Sequence, residues 1–277
     1  MSLFITSLNS GSNGNCYYIA NETEAVLVDV GISCREVEKR LTRLGLNMSK
    51  VKAVFISHEH SDHIKGVKVL AKKYALPVYI TSLTHSSSGL FIAGELLRTF
   101  NAYSPVKVGG LEITAFPKLH DCAEPHSFVV SGNGVNIGVF TDIGRVCHHV
   151  INNFKICNAV FLETNYDEEM LEEGNYPFYL KKRIRGGHGH LSNKEALELF
   201  NNHKTDMMTH VFLSHLSRDN NHPSLVHDLF TRSAGNVKVV VATRDEETAL
   251  YHITQSVTPT GSVSKGPVYN GVQTSLF

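Results

Sequence analysis

The stretch Phe55-Ile56-Ser57-His58-Glu59-His60-Ser61-Asp62-His63 decides how the rest of the chain is read. An apolar run from Ala53 ends at Ser57, and four potential metal ligands (His58, His60, Asp62 and His63) follow within six residues. Spacing sets the kind of site. A helical zinc site needs H-E-x-x-H, so that two imidazoles lie one turn apart on one face, but the residue four after His58 is Asp62. The ligands therefore belong to a loop at a strand's end. There His58 and His60 can point to one side while Asp62 and His63, at the start of the following helix, point to another, which suits two metals sharing a cleft.

The same local grammar recurs along the chain: an apolar strand closed by His or Asp. Phe116-Pro117-Lys118-Leu119-His120, Val139-Phe140-Thr141-Asp142 and Val211-Phe212-Leu213-Ser214-His215 all have it. Ligands gather beyond strand ends in sheets of this type, so four such strands imply one convergent site with seven ligands. Imidazoles and carboxylates without thiolates suit zinc or manganese, with iron as a further option. Asp142 is the natural bridge, because a carboxylate has an oxygen for each of two metals. Two divalent ions so held would activate a bridging water and neutralise the oxyanion formed on attack, which points to hydrolysis. Asp29, which ends Val26-Leu27-Val28, reads either as a carboxylate that orients a ligand imidazole or as a strand-end turn residue.

Outward from these strands, short apolar runs alternate with helical patterns. Strands are expected at Leu3–Leu8, Asn15–Ala20, Ala25–Val28, Ala53–Ser57 and Val78–Ile80. A helix follows the Ser33/Glu36 capping pattern, and others run over Ile64–Tyr74 and Thr84–Thr99. Strands then crowd together from Val106 to Thr141 before alternation returns with strands Ala159–Glu163, His210–Ser214 and Lys238–Ala242 and helices Asn193–Phe200 and Ser224–Ser233. Two halves, each a sheet with helices, predict an α/β fold of packed sheets covered outside. Residues 1–257 are expected to form one domain. Residues 258–277, rich in Gly, Ser, Thr and Pro, are expected to form a tail.

Composition narrows the function. The chain has 277 residues, 42% of them hydrophobic and 19% charged, which excludes bulk disorder and fibrous classes. No apolar run approaches the roughly 20 residues that span a bilayer, and Met1–Leu8 lacks a signal-like pattern. The reading is a cytoplasmic protein with no membrane partner. Lys and Arg (26) balance Asp and Glu (26), so a nucleic-acid partner would be held by a local basic patch. Five cysteines without a C-x-x-C spacing argue against a disulfide framework, and no obligate protein partner is evident.

On this H-x-H-x-D-H motif, the preceding Asp29 and the later His120, Asp142 and His215, the sequence resembles the metallo-β-lactamase superfamily over roughly residues 3 to 255. The resemblance implies an αβ/βα four-layer sandwich with a dinuclear centre at one edge. It implies His58, His60 and His120 on the first metal, Asp62, His63 and His215 on the second, and Asp142 between them. Asn9-Ser10-Gly11-Ser12-Asn13-Gly14-Asn15, His120-Asp121, Glu163-Thr164-Asn165, Gly189-His190-Leu191-Ser192-Asn193 and Ser214-His215-Leu216-Ser217 resemble a narrower bacterial subgroup of YycJ/WalJ type. That subgroup implies a cytoplasmic phosphodiesterase with 5′-to-3′ exonuclease action on DNA.

Substrate choice rests on further residues. Glu163 ends a strand and His190 precedes a helix capped by Ser192 and Glu195. In nuclease branches of the superfamily such a pair lets the His protonate the leaving oxygen, which a phosphodiester needs and a thioester does not. His188 is the rival to His190, and His126 to His120. Asp62, Glu163 and His190 are thus the expected catalytic residues, with Asp29 and Asp121 supporting the ligands. Lys181, Lys182, Arg183 and Arg185 form a run that is either a solvated helix face or a phosphate track, to which Arg218 could add a donor. Two other functions compete: a small-molecule ester, thioester or lactone hydrolase of the glyoxalase II kind, and a mainly regulatory metal-binding protein.

Overall fold

The structure is a computed structural model and describes residues 2–255, so the expected tail lies outside the described residues. Strands β1 (Ser2–Asn9), β2 (Cys16–Ala20), β3 (Ala25–Val28), β4 (Val51–Phe55), β5 (Val78–Tyr79) and β6 (Leu97–Arg98) build one sheet. Strands β7 (Val106–Val108), β8 (Leu111–Pro117), β9 (His126–Gly132), β10 (Val135–Phe140), β11 (Ala159–Glu163), β12 (His210–Ser214) and β13 (Lys238–Val241) build the second. The chain then returns to the first sheet, where β14 (Tyr251–Thr254) pairs antiparallel with β1.

Period-two alternation sets the layers. Val26 and Val28 of β3 face inward with Leu3, Ile5, Phe55, Phe128, Phe161 and Phe212, forming the core between the two sheets. Ala25 and Leu27 face the other way, under helices α1 (Cys34–Arg43) and α3 (Val67–Tyr74). The short α2 (Ser61–Ile64) lies between those two helices in sequence, and α4 (Ser82–Ser88) follows them. The outer face of the second sheet carries Phe140, Val160 and Leu213 beneath α5 (His148–Phe154), α8 (Asn193–His203) and α9 (Pro223–Thr231). Helices α6 (Glu168–Glu173) and α7 (Phe178–Arg185) lie between β11 and α8 in sequence. The result is the expected four-layer αβ/βα sandwich.

Two expected helices differ. The one expected over Ile64–Tyr74 begins earlier, at Ser61, and breaks between α2 and α3. Gly66 sits against the chain at Ile32, where an added Cβ would lie 2.0 Å from the Ile32 carbonyl oxygen, and its N–H donates to the Val30 carbonyl at 2.8 Å. The helix expected over Thr84–Thr99 shrinks to α4, which ends at Gly89 in the left-handed region (φ 64°). Within it the hydroxyls of Ser86 and Ser88 donate to carbonyls three residues back, so polar side chains compete for the helix's own hydrogen bonds. After α4 the chain runs to β6 instead. Strand β14 escaped the sequence reading because only Ile253 in it is buried, too little alternation to register.

Candidate metal centre

Parallel pairing puts the ends of β3 and β4 at one edge, and those of β10, β11 and β12 at the matching edge of the other sheet. β8 joins them, since it is antiparallel to β9 and β9 is antiparallel to β10. Beyond these ends, Asp29, Asp142 and His215 adopt left-handed backbone (φ 59°, 54° and 58°), at about 1 kcal/mol or more each for a non-glycine residue. Three strained turns around one cleft mark a place where side-chain direction outweighs local stability.

The structure brings all seven expected ligands together. His58 Nε2 and His120 Nε2 lie 3.1 and 3.3 Å from His60 Nδ1. On the other side, Asp62 Oδ2 lies 3.6 Å from His63 Nε2 and 3.5 Å from His215 Nε2. Asp142 spans the two groups, with Oδ2 3.1 Å from His63 Nε2 and Oδ1 3.7 Å from His120 Nε2. Ligands 2.0–2.1 Å from a tetrahedral cation sit about 3.3–3.4 Å from one another, and the contacts of His60 in one group and of Asp62 in the other lie near that spacing. The chemistry fits as well: the buried Asp142 Oδ2 and His215 Nε2 make no hydrogen bond of proper geometry. Such atoms are costly to bury unless something else satisfies them. The residues present therefore suit a divalent metal.

Proton affinities divide along the same line. Burial holds His58 far below the usual imidazole range and takes His120 down to about 3, leaving both neutral with a lone pair to give. Burial also opposes charge on His63 and His215, but carboxylates outweigh it. Asp142, Asp29 and Asp62 hold His63 well above its ordinary value, and Asp142, Asp62 and Glu163 lift His215 to about 10. The same carboxylates supply negative charge that a divalent cation held by these two imidazoles would offset.

The supporting contacts explain the orientation. Asp29 accepts from His63 Nδ1 at 2.7 Å and from the backbone and hydroxyl of Ser57, both at 2.8 Å. His120 Nδ1 faces the Gly189 carbonyl at 2.9 Å. Glu163, fully buried, accepts from His190 Nδ1 at 2.8 Å and His215 Nδ1 at 2.9 Å through Oε1, and from Ile143 N at 2.6 Å and Leu191 N at 3.3 Å through Oε2. Burial would raise its carboxyl, but His190 and His215 prevail and hold it at about 2. Four donors leave this carboxylate no lone pair convenient for a metal, although it stands among the donor groups of Asp142, His190 and His215.

Of the rival histidines, His188 is exposed, and His126 packs edge-on against Phe100 with Nδ1 on the Glu124 carbonyl. Along α7, Arg183 pairs with Asp121 and lines the cleft beside His190, whereas Arg185 pairs with Glu172 at 2.7 Å and Lys181 donates to the Glu172 carbonyl. Arg218 is exposed on the loop after His215.

Several contributors had no assigned role in the sequence reading. Asn15 sets its amide nitrogen 3.1 Å from His63 Nε2 and 3.3 Å from Asp62 Oδ2, and Ser10 accepts the His215 N–H at 2.7 Å. Asn165 donates to the His215 carbonyl at 2.8 Å. Ser10, Asn15 and Asn165 lie in strings that stood out only as signatures.

Fold and site together define a metal-dependent hydrolase of the metallo-β-lactamase kind. Residues 24–216 match the Beta-lactamase superfamily domain. The chain is 36% identical to Exodeoxyribonuclease YycJ of Bacillus anthracis over 224 residues, 80% of this chain and 85% of that protein. It is 31% identical to Exodeoxyribonuclease WalJ of Streptococcus pneumoniae over 225 residues, 79% of this chain and 84% of the relative. The chain belongs to the metallo-β-lactamase superfamily and, within it, is YycJ/WalJ-like. The fold recurs in the metallo-β-lactamase fold protein YhfI of Bacillus subtilis (TM-score 0.70, 15% identity, 91% of this chain and 100% of that one). It recurs too in the short form of human tRNase Z (TM-score 0.60, 16% identity, 89% and 98%).

Proposed function

We propose that this chain is a dinuclear metal-dependent exonuclease that works 5′ to 3′ on DNA. The observation that carries the reading is His190, held through Nδ1 by the buried Glu163 and lining the same cleft as Asp62, Asp142 and His215. A phosphodiester needs a proton for its departing sugar oxygen, and an imidazole fixed in this way has its other nitrogen left to deliver one. The relatives named exodeoxyribonucleases support the choice of DNA.

In this reading His58, His60 and His120 would hold one ion and Asp62, His63 and His215 the other, with Asp142 shared between them. Zinc or manganese suits these donors best, with iron as the third option. Ions bound there would supply an activated water and offset charge on the attacked phosphate. The second oxygen of Asp62 would orient the attacking water, and Glu163, bonded to His190 Nδ1, would keep that imidazole in register to give up its proton. Arg183, fixed by Asp121, presents charge to the phosphate backbone at the rim. The cytoplasm is the compartment that suits five cysteines all held as free thiols.

The test is digestion of end-labelled single- and double-stranded DNA by protein loaded with manganese or zinc, beside Asp142→Ala. Metal-dependent release of nucleotides from the 5′ end, absent in the variant, is the expected result. Intact strands with either metal, alongside turnover of a thioester or lactone, would move the assignment to a small-molecule hydrolase.

A further inference from the structure

Beside the metal cleft, past the His215 turn, three loops enclose a cavity of about 590 Å³. The first is the loop after β1, which brings Ser10 and Asn13; the second runs from Leu216 to Pro223; the third is Ala242–Asp245 after β13. The volume lies in the range of small-ligand pockets and is ample for one nucleotide. Its walls divide by chemistry. Leu216, Ala242 and Pro223 give it an apolar side, and Arg218 and Arg244 bring two guanidinium groups.

The two arginines differ in how they are held. Arg244 is fixed: Nη2 donates to the Leu216 carbonyl at 2.7 Å, and the Gly11 position packs so closely that a Cβ there would lie 3.3 Å from the same nitrogen. Arg218 makes no hydrogen bond or ion pair among the described residues, so its charge is unspent. α9 also starts at the wall, with Pro223 in its first turn and its positive dipole end toward the cavity. One carboxylate, Asp245, stands at the rim.

The cavity borders the catalytic cleft. Ser217 lines both the cavity and the neighbouring pocket that contains Arg183 and His190, and Ser12 lines that pocket and the metal cleft. A strand whose scissile phosphate lies at the metals can therefore continue into this basin. We propose that the basin is a nucleotide subsite, taking the phosphate of the residue next to the scissile bond between Arg218 and Arg244 and its sugar and base against Leu216 and Pro223. This rests on the phosphodiesterase reading, since only a polymeric substrate occupies both places at once. Two donors on planar forks suit a phosphate, and an apolar wall beside them suits a base or sugar more than a free inorganic anion.

The test titrates thymidine 5′-monophosphate into the metal-loaded wild type, Arg218→Glu and Arg244→Lys, and measures KM and kcat for a labelled oligonucleotide with each. Arg218→Glu is expected to weaken the mononucleotide at least tenfold and to raise KM by a similar factor, with a smaller change in kcat. Arg244→Lys keeps the charge but loses the fork, and falls between the two. Equal mononucleotide affinity and equal KM in wild type and Arg218→Glu would overturn the subsite. A fall in kcat alone would also overturn it, because the arginine would then act on the reacting phosphate. If the wild type cleaves no oligonucleotide, the exonuclease reading fails on its own, and the mononucleotide titration still decides the basin.

Discussion

Glu163→Gln removes one charge and almost no volume from a carboxylate surrounded by four donors. The amide has a single oxygen, so it can serve the backbone N–H groups of Ile143 and Leu191 or the two imidazoles, but not both pairs. The backbone groups cannot turn, so the oxygen is expected to face them and the NH2 to face His190 and His215. Two buried donors then point at donors, at about 1–3 kcal/mol each, or about 2–6 kcal/mol together. The imidazoles can escape only by moving their protons from Nδ1 to Nε2. That shift puts a proton on the Nε2 with which His215 would hold a metal, and disturbs His190 as a proton donor. Metal affinity is expected to fall about 10- to 100-fold, as when other carboxylates behind a ligand imidazole are lost. Turnover at saturating metal should fall a further 10²–10⁴-fold, the usual worth of a general acid, equal to about 2.7–5.4 kcal/mol. Calorimetric titration of manganese and single-turnover cleavage of labelled DNA separate the two effects. A Glu163→Gln protein that binds metal like wild type and cleaves within threefold of its rate would refute the reasoning. His190→Ala supplies the companion arm: metal content unchanged, turnover lowered by the same 10²–10⁴-fold.

Three more outcomes are expected. Asp29→Asn keeps the acceptor for Ser57 but not the charge facing His63 Nδ1, so metal affinity should drop about 10- to 100-fold in a calorimetric titration while the fold persists. Gly31→Ala should cost about 3 kcal/mol or more in urea unfolding and abolish metal uptake, because the added Cβ would lie 1.6 Å from the Asp62 carbonyl oxygen and must push the ligand loop away. Glu38 ties α1 to α3; hydrogen bonds from Lys73, Cys34 and Tyr74 hold its carboxyl at about 2 against an ordinary 4.5. A depressed carboxyl stabilises the fold above its ordinary value and stops doing so as pH falls through the folded one. Glu38→Gln should therefore be less stable than wild type in urea at pH 7, and the gap should close as the pH falls toward 2.

Much of the fold and the centre was legible because each sign was local. A strand that ends in His or Asp is written within five residues, as in Val139 to Asp142, and the direction of a parallel strand carries its last residue to a shared edge. The helix over Ser192 and Glu195 was legible for the same reason, and its reciprocal cap is present as the spacing implied. Where the reading failed, a distant segment had intervened. The break at Gly66 exists because the Ile32 carbonyl occupies the space beside it, and nothing near Gly66 in sequence announces that neighbour.

The chain alone determined which side chains could meet a metal, since residue type and strand-end position are properties of sequence. It left open how they would be held. Ser10 reaches the His215 N–H across 205 residues, Asn15 reaches His63 across 48, and Glu163 gathers His190 and His215 from two later elements. It also left open which histidine would stand in the cleft, a matter of whether the loop before α8 turns His188 or His190 inward. Those contacts are chosen when the two sheets pack: burial strips water from these polar groups, and each must then find its partner among whatever segments the packing has brought within 3 Å or so.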